Sequence, residues 1–486
     1  MKFIRSKDSA AMFLILEGIV YTMVLNLYNP FTQMFAKRMG GSDLHTALIN
    51  ALPPLAAIFL LLPGGILIER LNRKKQTVMF LLSIISLFYI TIAFVPMIPH
   101  ESKVMIFVIL IGLMNGPGSL YLTTWQAFFA DNFGGSRASR LYTIRSKYGT
   151  FFGLLTVLVT GLLLTNIPKS DTERLILYQI FYGVCFLLTI IQIVFFSRVR
   201  GQITRTAGIN DFPPKQGDSD DELKGAETEV IGPRNEGAVN ESLAKKTGAK
   251  KLRAEKLGTK KHKGQKSKEA KDAIRLFRKE DFAGMLKNKR FLLFCLCGVV
   301  FHMAWQMAWP LFFIYQTDYA HLNELQLSIV NLSSGVTQFL SFSLWNRVID
   351  KKGGSMVIIL GAAGLAVTPF IYTFSVGFPV IVLQSVFAGA FQAAFNVALF
   401  LCLLETLSAG KKTVYIAVFN TLTSLTGFTA PLIGLWILNR TNIYITMAIA
   451  GTFRVAGTLM YLMRWLKERK IPAQVSTNAA GEKLAG

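Results

Sequence analysis

Long apolar stretches alternate along this chain with short polar connections, and the apolar stretches are of nearly constant length. There are roughly twelve, each of about 20 residues, which is long enough to cross a bilayer as a helix. They lie near residues 9–32, 44–68, 76–97, 103–130, 140–165, 174–197, 290–316, 325–348, 355–375, 379–404, 412–438 and 441–465. In hydrocarbon each backbone N–H and C=O needs a partner within the span, so every span is expected to be a helix. The expected fold class is all-α integral membrane, with twelve transmembrane helices. Pro53-Pro54, Asn115-Gly116-Pro117-Gly118, Pro310 and Ala430-Pro431 sit well inside the stretches, where they would bend a membrane helix without ending it.

Charge adds orientation. The 486 residues are 52% hydrophobic yet carry a formal net charge of +24, so apolar and charged residues must be segregated. Placing the N-terminus inside puts Lys2, Arg5, Lys7, the cluster from Arg70 to Lys75, Arg137, Arg140, Arg347, Lys351, Lys352, Lys411, Lys412 and the group from Arg464 to Lys470 on the inner side. Only scattered cations such as Lys37, Arg38, Lys103, Lys169, Arg174 and Arg440 fall outside. Such an excess of inner cations predicts a multi-pass protein of the cytoplasmic membrane with both termini cytoplasmic. The residues before the first stretch lack the features of a cleavable signal. Cys185, Cys295, Cys297 and Cys402 all fall inside expected spans, where they read as packing residues rather than a disulfide framework or a metal site. No cofactor is implied.

The polar stretch 198–289 is too long for an ordinary connection. It divides the chain into a six-helix bundle over 1–197, a basic linker over 198–289, a second bundle over 290–466 and a cytoplasmic tail over 467–486. Between Lys245 and Lys271 the linker is dense in lysine with no Phe, Trp or Tyr, a composition expected to stay disordered. Anionic lipid is the partner its charge would attract, whereas nucleic acid is disfavoured because no aromatic residues interleave the lysines. Ile274, Phe277, Phe282 and Met285 recur at helical spacing among cations near 270–286, which reads as an interfacial helix or a plain lead-in to the seventh span.

Between the second and third stretches lie Gly65, Glu69, Arg70, Asn72, Arg73 and Lys74. These residues resemble the loop joining helices 2 and 3 in the major facilitator superfamily (MFS) of transporters: glycine, three residues, Asp, a cation, any residue, glycine, then two cations. Glu69 replaces the Asp and Asn72 the second glycine. A second copy between the eighth and ninth stretches keeps Asp350, Lys351 and Gly353, with Asn346 at the leading glycine and Gly354-Ser355 in place of cations. Asp131 precedes Arg137 by six residues, and Glu405 likewise precedes Lys411. The repeats argue for duplication of a six-helix unit and imply two pseudo-symmetric six-helix bundles. The resemblance further implies an inner latch, in which Glu69 faces Lys411, Lys412 and the start of helix 11, while Asp350 faces Arg137, Arg140 and the start of helix 5. Such contacts would close the cytoplasmic side. Charges that only enforce topology are the plainer alternative.

Helices 1, 4, 7 and 10 line the central cavity in that superfamily, which makes their polar residues the candidates for a substrate cavity. In helix 7, His302, Trp305, Gln306 and Trp309 return to one face. Asn115, Ser119 and Gln126 do so in helix 4, and in helix 10 Gln392 and Asn396 are a turn apart beside Phe391 and Phe395. Such faces suit an organic solute better than a bare ion, although neutral polar groups also glue helices together. Glu17, with Tyr21 and Tyr28 on its face, lies about 12 Å into helix 1, a depth at which a carboxyl must be paired, neutral or hydrated. It is a candidate for coupling proton movement to substrate movement, exchanging partners with Arg145 or Lys147 of helix 5; a structural salt bridge is the alternative. Arg454, deep in helix 12, reads as a structural hydrogen-bonding residue.

The expected function is a secondary active transporter of a small organic solute, proton-coupled, working as a monomer by alternating access. Helix 5 carries Gly149, Gly153 and Gly161 but lacks the glycine-proline motif of drug-proton antiporters in the superfamily, which leaves uptake and efflux open. A non-transporting sensor or adaptor on the same fold, acting through the basic loop, is the alternative. No span carries metal-ligand spacing or a nucleophile with an evident base, so an enzyme is not expected.

Overall fold

The structure is a computed structural model and describes residues 9–71, 73–99, 102–133, 135–199, 286–406 and 412–482. The described helices all belong to one compact unit. The central linker and its expected interfacial helix lie outside the described residues, apart from the linker's ends.

Twelve helical segments are long and apolar enough to cross a membrane, and each overlaps one expected stretch. The first is interrupted at Pro30: α1 (Ser9–Tyr28) passes through a single 3-10 turn at Asn29–Phe31 into α2 (Thr32–Arg38), as expected where proline lacks its N–H. There follow α3 (Asp43–Leu71), α4 (Lys74–Phe94), α5 (Lys103–Asn132), α6 (Gly135–Asn166) and α7 (Asp171–Arg198). The second half comprises α8 (Lys289–Ile314), α9 (Glu324–Lys352), α10 (Gly354–Ile371), α11 (Phe378–Glu405), α12 (Lys412–Leu438) and α13 (Ile443–Glu482). The last helix runs on into the segment expected as a tail. One end of the bundle, where α1 begins and α3 hands over to α4, is called proximal below. The other, where α2 and α8 end, is distal.

Helix ends are capped by their own sequence. Asn323 and Gln326 form a reciprocal capping box at α9, and Asn288 accepts from Phe291 N at 3.1 Å while its Nδ2 donates to Thr406 O at 3.0 Å, tying the start of α8 to the end of α11. Gly353 ends α9 at φ 83° and leads directly into α10, a conformation that favours glycine. Serine and threonine hydroxyls within the spans mostly bond the carbonyl one turn back, for example Thr22 Oγ1 to Gly18 O at 2.8 Å, which hides them from hydrocarbon.

The duplication read from the motifs is visible in the packing. In the first half α1 packs on α6 and α7, α5 on α3 and α4, and α4 on α7. The second half repeats every pairing: α8 on α12 and α13, α11 on α9 and α10, and α10 on α13. The halves meet symmetrically too, through α3 against α12 and α6 against α9. Each half has its own apolar core, one centred on residues such as Phe35, Phe107 and Tyr182, the other on Phe294, Phe301 and Phe395. Cavities and charged groups are therefore left to the surfaces between helices and between halves.

Candidate functional site

Glu17 is fully buried on α1, and its carboxylate is saturated by three other helices. Tyr121 Oη of α5 donates to Oε1 at 2.7 Å and Gln192 Nε2 of α7 donates to the same oxygen at 2.8 Å. Arg145 of α6 donates to Oε2 from Nη2 at 3.1 Å and Nε at 3.3 Å. Gln192 Nε2 also donates to Tyr121 Oη at 2.9 Å, closing the network. Gly18 makes room for it, since a Cβ there would lie 2.8 Å from Arg145 Cδ. The guanidinium is 4.0 Å from the Trp125 ring centre and 5.8 Å from that of Tyr21, within reach of favourable cation–ring attraction. Lys147, two residues along, is exposed and makes no part of this network; successive residues on a helix point about 100° apart.

Two cavities both touch Asn115 and Ser119 of α5, and the smaller of them borders the network. One, of about 210 Å³, lies inside the first half and is bordered by Tyr21, Tyr28, Tyr89, Tyr121 and Gln192 among others. The second, of about 360 Å³, lies between the halves, where Pro53 and Pro54 of α3 and Asn115 and Ser119 meet His302, Gln306, Thr423 and Ser424. His302 is buried with neither ring nitrogen hydrogen-bonded. Trp305 packs beside it at 5.5 Å between ring centres, with Phe395 at 5.8 Å. Of the other expected cavity residues, Trp309 is exposed beside Trp305, Gln126 and Asn396 are exposed, and Gln392 is half-buried; none of these borders either cavity.

The expected proximal latch is described only in part. Gly65, Glu69 and Arg70 occupy the last turns of α3, Arg137 lies in the first turn of α6 and Lys412 opens α12, but their side chains, with Asn72 and Lys411, lie outside the described residues. Arg73 is exposed at the start of α4, and Asp131 is paired with Lys74 at 2.6 Å. Arg140, Asp350, Lys351 and Glu405 are exposed at the proximal ends of their helices.

At the distal end the structure holds a cross-half cluster in which Lys37, Arg38 and Arg174, offered by the sequence only as scattered cations, meet Asp171, Asp318 and Glu324. Lys37 pairs with Asp318, and Arg38 holds Glu324 Oε1 at 3.0 Å. Arg174 Nε approaches the same oxygen at 3.8 Å, and Asp171 accepts from both Arg38 and Arg174 at 3.1 and 3.0 Å. Glu324 is fully buried, with Oε2 unpartnered. Leu325 N donates to Thr165 Oγ1 at 3.0 Å, and Gly161 of α6 rides directly on Ser328 and Glu324 of α9. Sequence gives the cross-half pairs no local mark, since Lys37 and Asp318 stand 281 residues apart and Arg38 and Glu324 stand 286 apart.

Arg454 is buried on α13 and has only neutral partners. Its Nη1 donates to Leu365 O at 2.8 Å and Thr368 Oγ1 at 2.7 Å, and its Nη2 to Trp305 O at 3.0 Å. Pro369, four residues after Leu365, cannot supply the helical N–H to that carbonyl. Arg454 supplies one instead, beside Thr368 Oγ1, which donates to the same carbonyl at 2.8 Å.

The family model described as Major Facilitator Superfamily matches residues 14–282 and 294–486. The chain belongs to the Major Facilitator Superfamily. Among solved structures, the chain resembles the nucleoside transporter NupG at TM-score 0.62 and 12% identity, over 94% of this chain and 98% of that one. The POT family transporter PepTSo gives TM-score 0.63 at 13% identity over 97% and 99%, and the inward-open xylose transporter XylE from E. coli gives 0.59 at 14% over 94% and 94%. At such identities the likeness is one of fold. Comparison with curated proteins gives no match. Superfamily membership establishes the MFS fold and a multi-pass transporter class rather than an enzyme. It also gives the paired halves, the cavity between them and the motif copies at 65–74 and 346–355 a common setting.

Proposed function

We propose that this chain is a secondary active transporter that couples proton movement to movement of a small organic solute, with Glu17 as the proton-exchanging group. The observation that carries this reading is the sharing of residues between the Glu17 network and the cavity. Tyr121 and Gln192 bond the carboxylate and also border the smaller cavity, so a solute that reorients them alters what holds the charge. While Arg145 stays in place the carboxylate is paired. A proton on Glu17 would leave Arg145 without its counter-charge, and a buried arginine without its carboxylate is costly. The protonated and ionised forms therefore favour different arrangements of α1 and α6, which is what coupling needs.

Alternation follows from the symmetric seams between the halves, α3 with α12 and α6 with α9. Rocking about these seams would open each end in turn. The distal cluster joins the halves in this structure, and by the lysine and arginine excess the distal end is extracellular, so this arrangement serves as the state closed to the outside. The inner latch of Glu69 and Asp350 would act in the opposite state. Two substrates named for structural relatives, fucose with a proton and xylose with a proton, are compatible with proton coupling on this fold.

The test is uptake by proteoliposomes under an imposed inward proton gradient, with wild type beside Glu17→Gln. The proposal expects concentrative uptake by wild type and its loss in the variant, with exchange of labelled for unlabelled solute retained. Concentrative, pH-dependent uptake by Glu17→Gln would remove Glu17 from the coupling step.

A further inference from the structure

We propose that the cavity selects an uncharged, polyhydroxylated solute, of the polyol or sugar type, and that His302 is a residue that contacts it. This inference rests on the transporter reading above and adds the substrate class.

Charge comes first. Neither cavity is bordered by an aspartate, glutamate, lysine or arginine among its lining residues. The nearest charges, Glu17 and Arg145, neutralise each other behind Tyr121 and Gln192. An ion entering such a space gives up its hydration and meets no counter-charge, a cost that no group there offsets. A neutral polar solute has no such cost to meet.

Donor and acceptor inventory comes next. A serine or threonine hydroxyl has one hydrogen to give, and three of the cavity hydroxyls have spent theirs on helix carbonyls. Ser119 Oγ donates to Asn115 O at 2.9 Å, Thr189 Oγ1 to Cys185 O at 2.7 Å and Thr423 Oγ1 to Asn420 O at 3.0 Å. Each can only accept from a solute. Asn115 and Gln306 commit one amide N–H to the carbonyls of Ile111 and Thr423 and keep a second N–H and the side-chain oxygen for a solute. Acceptors and donors are therefore both presented, and a polyhydroxylated solute, each of whose hydroxyls gives and accepts, matches them. Tyrosine rings around the smaller cavity supply flat apolar surface for its carbon–hydrogen faces.

His302 completes the set. It is 8% exposed, borders the cavity between the halves and leaves both ring nitrogens unpartnered. Buried polar groups in folded proteins are ordinarily satisfied, so two empty positions on one cavity-facing ring mark a place where a ligand bonds. A neutral imidazole offers one donor and one acceptor, matching a hydroxyl, which is both.

The test is uptake by the full chain in proteoliposomes under an inward proton gradient. The probes are radiolabelled sorbitol, a hexose and uridine as uncharged donors, against lactate, glycylglycine and tetraethylammonium. Saturable uptake confined to the uncharged set is expected, with KM raised at least tenfold in His302→Phe and within about threefold of wild type in His302→Gln, which restores a donor and an acceptor. Ser119→Ala, a smaller change on the opposite wall, should raise KM for the same solute. Wild-type uptake of a charged probe with none of an uncharged one would overturn the substrate class and leave the transporter reading standing. No uptake of any probe would overturn both, and an unchanged KM in His302→Phe would remove His302 from the solute site.

Discussion

At the scale of single residues, the buried charges divide by what satisfies them. Glu17 and Arg145 are an ion pair completed by two neutral donors, so removing one member strands the other. Glu17→Ala is expected to cost about 3–5 kcal/mol, while the double change to Leu at 17 and 145 recovers most of that, as read from thermal denaturation in detergent. Equal losses in the single and double variants would mean that the pair is not interdependent. Arg454 has no carboxylate to lose. Arg454→Leu should destabilise by about 1–3 kcal/mol through the lost hydrogen bonds, with Arg454→Lys intermediate, and neither should alter the pH dependence of uptake. Glu17 was legible in the sequence because an ionisable side chain inside an apolar stretch is rare and costly. Tyr121 and Gln192 were not, because neutral polar residues in spans serve many purposes and no spacing links residues on helices four and six. Trp309 was over-read: seven residues past His302 it has drifted by about 20° and risen by about 10 Å, and it is exposed.

At the scale of helices, a small residue lets the two halves approach closely at the seam between α6 and α9. A Cβ at Gly161 would meet Ser328 Oγ and lie 2.7 Å from Ser328 Cβ and 3.0 Å from Glu324 O. Gly161→Val should therefore push α6 from α9 and loosen the distal closure, read as increased labelling by a membrane-impermeant thiol reagent of a cysteine placed at Thr165. Unchanged labelling would mean that the seam does not set the closure. The twelve helices were legible from apolar run length alone, and their ends fell within a few residues of the expected ones except at the end of α2, the start of α6 and the end of α13. The break at Pro30 was not foreseen, although proline marked it. Glycines in helix 5 were seen, but their partners on α1 and α9 depend on packing between spans that no local pattern records.

At the scale of the whole molecule, sequence repeats disclosed the duplication, and the matched helix pairings carry it into three dimensions. The motif copies drew attention to the proximal end, yet the ion pairs described between the halves are distal. Their members come from opposite halves, and a rule that counts lysine and arginine in loops treats them as topology signals only. If they hold the outside closed, Glu324→Gln together with Arg38→Ala should shift the population toward the distally open state, measured as a longer distance between spin labels on Gly41 and His321. Glu69→Gln should shift it the other way. Matching distance distributions in all three proteins would dissociate both clusters from gating. Because the described pairings that form the two halves run between helices outside the linker, removal of much of 200–268 is expected to leave flux within about twofold.

The central claim is that solute and proton move together through Glu17, and the most direct measurement follows the proton. Proteoliposomes holding a pH-sensitive dye, with no gradient imposed at the start, are given an uncharged solute from the panel at saturating concentration. The account predicts solute-driven acidification of the lumen by wild type and none by Glu17→Gln, although the variant still exchanges labelled solute. Acidification of equal rate in the variant, or solute entry without acidification in wild type, would contradict it.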